Sequence, residues 1–152
     1  MKEYKPSVLV DSSVVSYAAS RPTFSDSRDV RKNKESSKQI LRSWRKFNLF
    51  ISWTVLDEIS LGNPESSKKR IYLVKGIEVL DINPKIEALA DDFMKADIFM
   101  PEEKNDALIV ATSCFYNIDY LISCSMHLIT EKARREDMIR LSKNHGYRPP
   151  PI

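Results

Sequence analysis

Four short aliphatic runs, each separated from the next by a helix-like pattern, most constrain the fold of this chain. They occupy residues 8–11, 49–52, 77–82 and 120–123. Runs of strand length that alternate with helical segments are typical of βαβ units, whose parallel strands need crossover connections. The pattern therefore predicts an α/β fold, a three-layer α/β/α sandwich with a central mostly parallel sheet.

Five helical patterns fill the intervals between these runs and the end of the chain. Asn63 before Pro64 is typical of a helix start, and Gly76 of a helix end. The residue pattern ALIVATSCF is apolar almost all round, which predicts a helix packed in the middle of the fold. The predicted helices cover residues 29–47, 64–75, 86–94, 107–115 and 130–144.

The composition is that of one folded domain. The chain has 152 residues, of which 42% are hydrophobic and 30% charged, and it contains no internal repeat, so residues 1–152 are predicted to form a single domain. No apolar run approaches the roughly 20 residues that span a bilayer, and no secretory segment is recognisable, so we expect a cytoplasmic protein without a membrane partner. Cys114 and Cys124 lie outside any zinc-binding or disulfide pattern.

Charge is segregated along the chain although the formal net charge is only +3. Residues 21–46 contain nine basic and three acidic side chains, whereas residues 81–106 contain eight acidic and three basic ones. Such runs are often solvated helix faces. The basic segment is also suited to a polyanion such as a nucleic-acid backbone.

Acidic residues stand at three places where the predicted units reach the carboxyl edge of the sheet. Asp11 ends the first run, Glu58 lies about one helical turn after the second, and Asp106 begins the apolar segment. The neighbouring apolar stripe predicts that Glu58 faces inward and Asp57 faces solvent. Carboxylates held close together repel, and a hard cation such as Mg²⁺ or Mn²⁺ relieves that repulsion. Acids of this kind beside basic segments indicate metal-dependent phosphodiester chemistry.

Each acid also has an ordinary structural explanation. Asp11 is acceptable as a turn residue, Ser13 as a helix N-cap, and Glu58 as an exposed helix residue. Asp106 would complement the dipole of the helix that it begins. The acidic site consequently depends on the three side chains meeting in space.

At these positions the sequence resembles the PIN-domain ribonucleases, in particular the VapC-like toxins and their uncharacterised relatives. VLVDSSVVS is similar to the first motif of that family, which matches its first metal aspartate to Asp11 and its hydroxyl to Ser13. FISWTVLDEIS and NDALIVATSCFYNIDYLIS are similar to the second and third motifs, with Glu58 and Asp106 as the acids. The resemblance covers nearly the whole chain. It implies a PIN-like domain that cleaves RNA as a Mg²⁺-dependent endoribonuclease, forms a homodimer and is restrained by an antitoxin protein.

The fourth motif departs from this family. Ser125 stands where the family usually has an aspartate or asparagine, and a serine hydroxyl is a weak, neutral metal ligand. In the ribonuclease hypothesis Asp11, Glu58 and Asp106 hold the metal, and Ser13 and Ser125 support a metal-bound water. The departure favours an alternative, a catalytically weakened or inactive relative that binds RNA or a protein partner without cleavage.

A phosphoacceptor receiver domain is a third possibility, because it also places acids at strand ends. Such a domain needs a second acid beside the first and a lysine after the last strand. Asp11 is followed by serines, and LISCSMH contains no lysine, so this possibility is disfavoured.

Overall fold

The computed structural model describes residues 4–152, which form a four-stranded sheet with α-helices on both faces. The strands are β1 (Ser7–Val10), β2 (Asn48–Ser52), β3 (Glu78–Leu80) and β4 (Tyr120–Ile122). The α-helices are α1 (Ser12–Ala19), α2 (Arg28–Leu41), α3 (Trp53–Ile59), α4 (Pro64–Leu73), α5 (Pro84–Lys95), α6 (Lys104–Phe115) and α7 (Lys132–Asn144). Short 3₁₀ helices, Pro101–Glu103 and His127–Ile129, precede α6 and α7.

The sheet has the strand order β3-β2-β1-β4, and every pairing in it is parallel. The order reverses beside β1, which pairs with β2 on one side and with β4 on the other. Helix α1 packs against α2 and α4, and α5 packs against α6 and α7. The predicted three-layer α/β/α sandwich is confirmed, and the carboxyl ends of all four strands lie along one edge. In such sheets, ligands bind at that edge where the strand order reverses.

Side-chain caps explain where several helices begin. Asn83 Oδ1 accepts a hydrogen bond from the backbone N–H of Ile86 at 2.9 Å, and Asn63 Oδ1 accepts one from Glu65 N at 2.9 Å. Each of these asparagines is followed by a proline at the first helical position, where a missing N–H costs nothing. The apolar stripe of α5 is buried, as its periodicity predicts; its members are Ile86, Leu89, Ala90 and Phe93.

Helix α2 is shorter than the sequence predicts. The pattern favoured a helix from residue 29 to residue 47, but α2 ends at Leu41 and the chain turns over the next six residues. This turn brings Asn48 beside the start of β1, where its N–H donates to Pro6 O at 2.9 Å. Trp44 lies in the turn and is 62% exposed, so it is not part of the core.

The hydrophobic core lies on both faces of the sheet and includes most of β1 and α6. Val8, Leu9 and Val10 are each at most 1% exposed, as are Ile109 and Val110 of α6. A strand buried on both faces reads as a continuous apolar run, which is the pattern that β1 shows. Among residues 4–152 no helix combines the length and the apolar character required to cross a membrane.

Candidate active site at the carboxyl edge of the sheet

Asp11 lies at the centre of the carboxyl edge, directly after β1. Its backbone N–H donates to Ile122 O at 3.1 Å, which continues the pairing of β1 with β4 by one residue. Its Oδ1 atom caps α1 by accepting the N–H of Val14 at 3.3 Å. Asp11 is only 2% exposed, so a charged side chain is buried at the point where the strand order reverses.

Two serine hydroxyls hold the Asp11 carboxylate from opposite sides. Ser13 Oγ donates to Asp11 Oδ1 at 2.5 Å and accepts the N–H of Cys124 at 2.9 Å. Ser123 Oγ donates to Asp11 Oδ2. Burial raises the pKa of Asp11 above its ordinary value, and the bonds from Ser123 and Ser13 offset part of that rise. Both hydroxyls thus fix the orientation of this side chain.

Ser123 is a site residue that the sequence reasoning missed. The prediction named Ser125 after the fourth strand, but Ser125 is exposed, and its backbone N–H donates to Ser123 Oγ at 3.2 Å. The pairing of Val10 with Ile122 places the first residues after β1 and β4 side by side, which are Asp11 and Ser123. The sequence did contain a signal for Ser123: it is the first polar residue after β4, just as Asp11 is the first polar residue after β1.

Glu58 reaches the site from α3, the helix that follows β2. It is half-buried, whereas Asp57 beside it is exposed, as the apolar stripe of this helix predicts. Ser12 Oγ donates to Glu58 Oε1 at 3.2 Å, and the side chain of Asn105 also bonds to this carboxylate. Burial raises the pKa of Glu58, the two hydrogen bonds lower it, and the charge of Asp11 raises it again.

Asp106 lies in the first turn of α6 and is the most strongly perturbed of the three acids. Burial, followed by the charges of Asp11 and Glu58, raises its pKa to about 6. The charge of Glu103 raises it further, and that of His127 lowers it. Side chains from three separate stretches of the sequence therefore act on one another at this edge of the sheet.

An ion-paired network lies beside Asp106. Glu103 pairs with Arg134 of α7, and the Arg134 Nε–H donates to Ile98 O at 2.6 Å. His127 Nδ1 lies 3.6 Å from Glu103 Oε1, and its side chain is 61% exposed. Glu103 is thus neutralised by its partners, whereas Asp106 has no ion pair among the residues that the structure describes.

The donor atoms of this site suit a hard divalent cation. Asp11, Glu58 and Asp106 offer carboxylate oxygens; burial is the largest cause of their raised pKa values, and the charges of neighbouring acids add to it for Glu58 and Asp106. Within residues 4–152, no group of three or more His, Cys, Asp or Glu side chains is already arranged to hold an ion. Mg²⁺ commonly keeps several waters and takes only one or two carboxylates, so the residues fit this ion without such a group.

Solved structures share this architecture. One is the Rickettsia felis VapBC2 complex bound to a DNA fragment from its promoter, with a TM-score of 0.56 and 16% identity over 81% of this chain and 90% of the matched chain. Another is Mycobacterium tuberculosis VapC20, a toxin that cleaves the sarcin-ricin loop, with a TM-score of 0.58 and 16% identity over 78% of this chain and 90% of the other. No protein-family model and no curated protein matches the chain.

These likenesses concern the whole domain, since each covers most of both chains. At 16% identity they show that the arrangement of strands and helices, that is the fold, is shared. The resemblance that the three sequence motifs indicate is confirmed at that level: the chain has the PIN-domain α/β/α fold of the VapC toxins.

Proposed function

We propose that this chain is a metal-dependent endoribonuclease of the VapC-like type, with Asp11, Glu58 and Asp106 as its catalytic acids and Mg²⁺ or Mn²⁺ as its cofactor. The observation that carries the proposal is the electrostatic coupling of these three acids at the edge where the strand order reverses. The shared fold supports it, because VapC20 is a toxin that cleaves the sarcin-ricin loop.

Each side chain has a separate task in this proposal. Asp11, fixed by Ser13 and Ser123, presents an immobile carboxylate, and Glu58 is steadied by Ser12. When bound, the divalent ion lowers the pKa of a water and offsets the negative charge of the phosphate. Asp106 would be ionised above its pKa of about 6, which makes it available to the ion at neutral pH.

Removal of single charges tests this function. Asp11→Asn and Asp106→Asn should each lower cleavage of single-stranded RNA in Mg²⁺ by about 100-fold or more, because each removes a ligand charge while preserving side-chain size. Asp57→Asn is the matched control, since Asp57 is an exposed acid beside Glu58, and it should cleave normally. Circular dichroism checks that the variants are folded. Unchanged activity in Asp11→Asn and Asp106→Asn would contradict the proposal.

A second function is favoured by the residues after β4. The chain offers the hydroxyls of Ser123 and Ser125 there rather than a carboxylate, and Ser123 is already bonded to Asp11. A protein that lacks a carboxylate after β4 could bind RNA or a protein partner without cleaving RNA. Calorimetric titration with Mg²⁺ separates the two functions, because the non-cutting protein should show no saturable ion site.

The proposal extends to partners and location. The Rickettsia felis structure is a VapBC complex, which supports an antitoxin protein as a partner of this chain. A homodimer and a cytoplasmic location belong to the same proposal. Co-purification of the chain with the product of a neighbouring small gene, followed by inhibition of RNA cleavage by that product, would test the antitoxin.

A further inference from the structure

A pocket of about 480 Å³ lies between the end of α1, the loop that follows it and α4. We call it the basic pocket. None of the described residues that line it is acidic, and its lining includes four cationic side chains and several hydroxyls. The cations are Arg21, Lys34, Lys69 and Arg70, and the hydroxyls include those of Ser16 and Ser20.

One of the four cations is neutralised within the fold. Lys34 is 8% exposed, and its Nζ atom donates to Asp26 Oδ2 and to Arg21 O, both at 2.8 Å. This lysine stabilises the loop after α1 and holds the wall of the pocket in place. Its charge is therefore not available to a ligand.

The other three cations carry uncompensated charge. Arg70 is held by backbone carbonyls, since its Nε–H donates to Ile59 O at 3.0 Å and its Nη2–H to Leu61 O at 2.6 Å. In the described part of the chain Arg21, Lys69 and Arg70 form no salt bridge with an acidic side chain. The guanidinium of Arg70, held by these two bonds, and the nearby cations Arg21 and Lys69 are suited to the oxygens of a phosphate group.

The basic pocket is connected to the acidic site along α1. Ser12, which bonds to Glu58, and Ser16 lie four residues apart on one face of α1, and Ser20 follows after another four residues as the C-cap of this helix. Eight residues of helix span about 12 Å. Neighbouring phosphates of a nucleic-acid strand lie at least about 3.4 Å apart along its axis, so a single strand covers this distance within a few nucleotides.

A second connection runs through α3. The two carbonyls that accept hydrogen bonds from Arg70 belong to Ile59 and Leu61. Ile59 directly follows Glu58, and Leu61 lies two residues further along the chain. The pocket is thus anchored to the same segment that supplies one of the catalytic acids. Its distance from the acidic site is fixed by helix geometry on one side and by these hydrogen bonds on the other.

We propose that the basic pocket binds a backbone phosphate of the RNA substrate, a few nucleotides from the bond that is cleaved, with the strand running along the serine face of α1. This inference rests on the proposed ribonuclease function. It gives Arg21, at the start of the basic segment, a role in positioning the substrate together with Lys69 and Arg70. A phosphodiester suits the lining because it only accepts hydrogen bonds, whereas a peptide would also bring N–H donors to a cationic surface.

Substrate length provides the test. Arg21→Ala/Lys69→Ala should raise the KM for a 12-nucleotide single-stranded RNA by about tenfold or more, while cleavage of a dinucleotide, too short to reach the pocket, stays unchanged. Arg70 is left in place because it supports the backbone after Glu58. Lys68→Ala is the matched control, since Lys68 is the neighbouring exposed lysine of α4 and lies outside the basic pocket; it should change neither rate.

Salt dependence of binding gives an independent measurement. RNA binding is measured by fluorescence anisotropy, with every protein carrying Asp106→Asn. The Arg21→Ala/Lys69→Ala change should reduce the magnitude of the slope of log K for binding against log salt concentration by about 0.7, which is the value for one lost phosphate contact on a single strand.

Equal effects of this double variant and Lys68→Ala would overturn the phosphate-binding role of the basic pocket and leave the ribonuclease proposal intact. If the wild type cleaves neither RNA, the ribonuclease proposal fails, and the slope alone decides whether the pocket binds phosphate. Competition by polyglutamate as strong as by RNA would show that only charge is recognised, which would overturn the phosphate assignment.

Discussion

At the scale of single residues, burial sets the properties of the acidic site before any metal or substrate is present. Asp11, Glu58 and Asp106 all have raised pKa values, and burial is the largest cause for each. Hydroxyl groups offset part of the rise for Asp11 and Glu58, but Asp106 gains only the weak opposing effect of His127. The ionised site is consequently a source of instability in the metal-free protein.

The first residue-scale prediction concerns pH. Asp106 has a pKa of about 6 in the folded protein, whereas the ordinary value of 3.8 applies to the unfolded chain. Between pH 3.8 and about pH 6 the folded state therefore binds more protons than the unfolded state. The free energy of unfolding therefore falls as pH rises through this interval. Asp106→Asn removes the charge, and in EDTA we expect its Tm to exceed that of the wild type by a few degrees near pH 8. The difference should shrink toward pH 4; a difference that grows on acidification would contradict the raised pKa.

The second residue-scale prediction concerns Ser123. Its hydroxyl donates to Asp11 and accepts the N–H groups of Ser125 and Met126 at 3.2 and 3.1 Å. Ser123→Ala leaves the buried Asp11 carboxylate and the half-buried Met126 N–H short of a partner and should lower the free energy of unfolding by about 1–3 kcal/mol in urea titration. Ser125→Ala at an exposed position should change it by less than about 0.5 kcal/mol. Equal losses in the two variants would mean that the bond to Asp11 contributes nothing.

At the scale of elements, the site draws on three helices: Asp11 caps the start of α1, Glu58 lies in the last turn of α3, and Asp106 lies near the start of α6. Asp11 caps α1, and Ser52 caps α3 by accepting the N–H of Val55 at 3.2 Å, so each helix begins at the carboxyl edge. Asp106 is in the first turn of α6, which packs against α3 and α5. The acids therefore depend on helix docking as well as on their own contacts.

The element-scale prediction concerns the start of α5, the helix that supports α6. Asn83→Ala removes the acceptor for Ile86 N and should lower the free energy of unfolding by about 1 kcal/mol. Asn83→Ser should retain most of the stability, because serine is also a good N-cap. Urea unfolding monitored by circular dichroism measures both variants. Equal destabilisation by serine and alanine would show that the asparagine acts through something other than capping.

At the scale of the whole molecule, the position of β1 between β2 and β4 determines which parts of the chain meet. Residues that are 46 positions apart, Ser12 and Glu58, share a hydrogen bond, and residues 112 positions apart, Asp11 and Ser123, share another. The crossovers that make the strands parallel produce these long-range contacts. A divalent ion bound there would link separate segments of the fold.

The whole-molecule prediction is that Mg²⁺ stabilises the protein in the absence of RNA. An ion that binds only the folded state at 100 times its Kd adds about 2.7 kcal/mol to the free energy of unfolding. We expect Tm to rise with Mg²⁺ in the wild type and much less in Asp106→Asn, as measured by calorimetric scans. A rise of the same size in both proteins would show that the ion binds elsewhere.

The sequence by itself determined the fold class, the four strands and the motif positions of Asp11, Glu58 and Asp106, because hydrophobic periodicity and the order of strands and helices are local properties of the chain. Only the tertiary structure decided that α2 ends at Leu41, since the turn after it depends on bringing Asn48 to β1. It also decided that Ser123, which the sequence analysis did not single out, holds Asp11. Both outcomes depend on which strands pair with β1, and the paired segments lie far apart in the sequence.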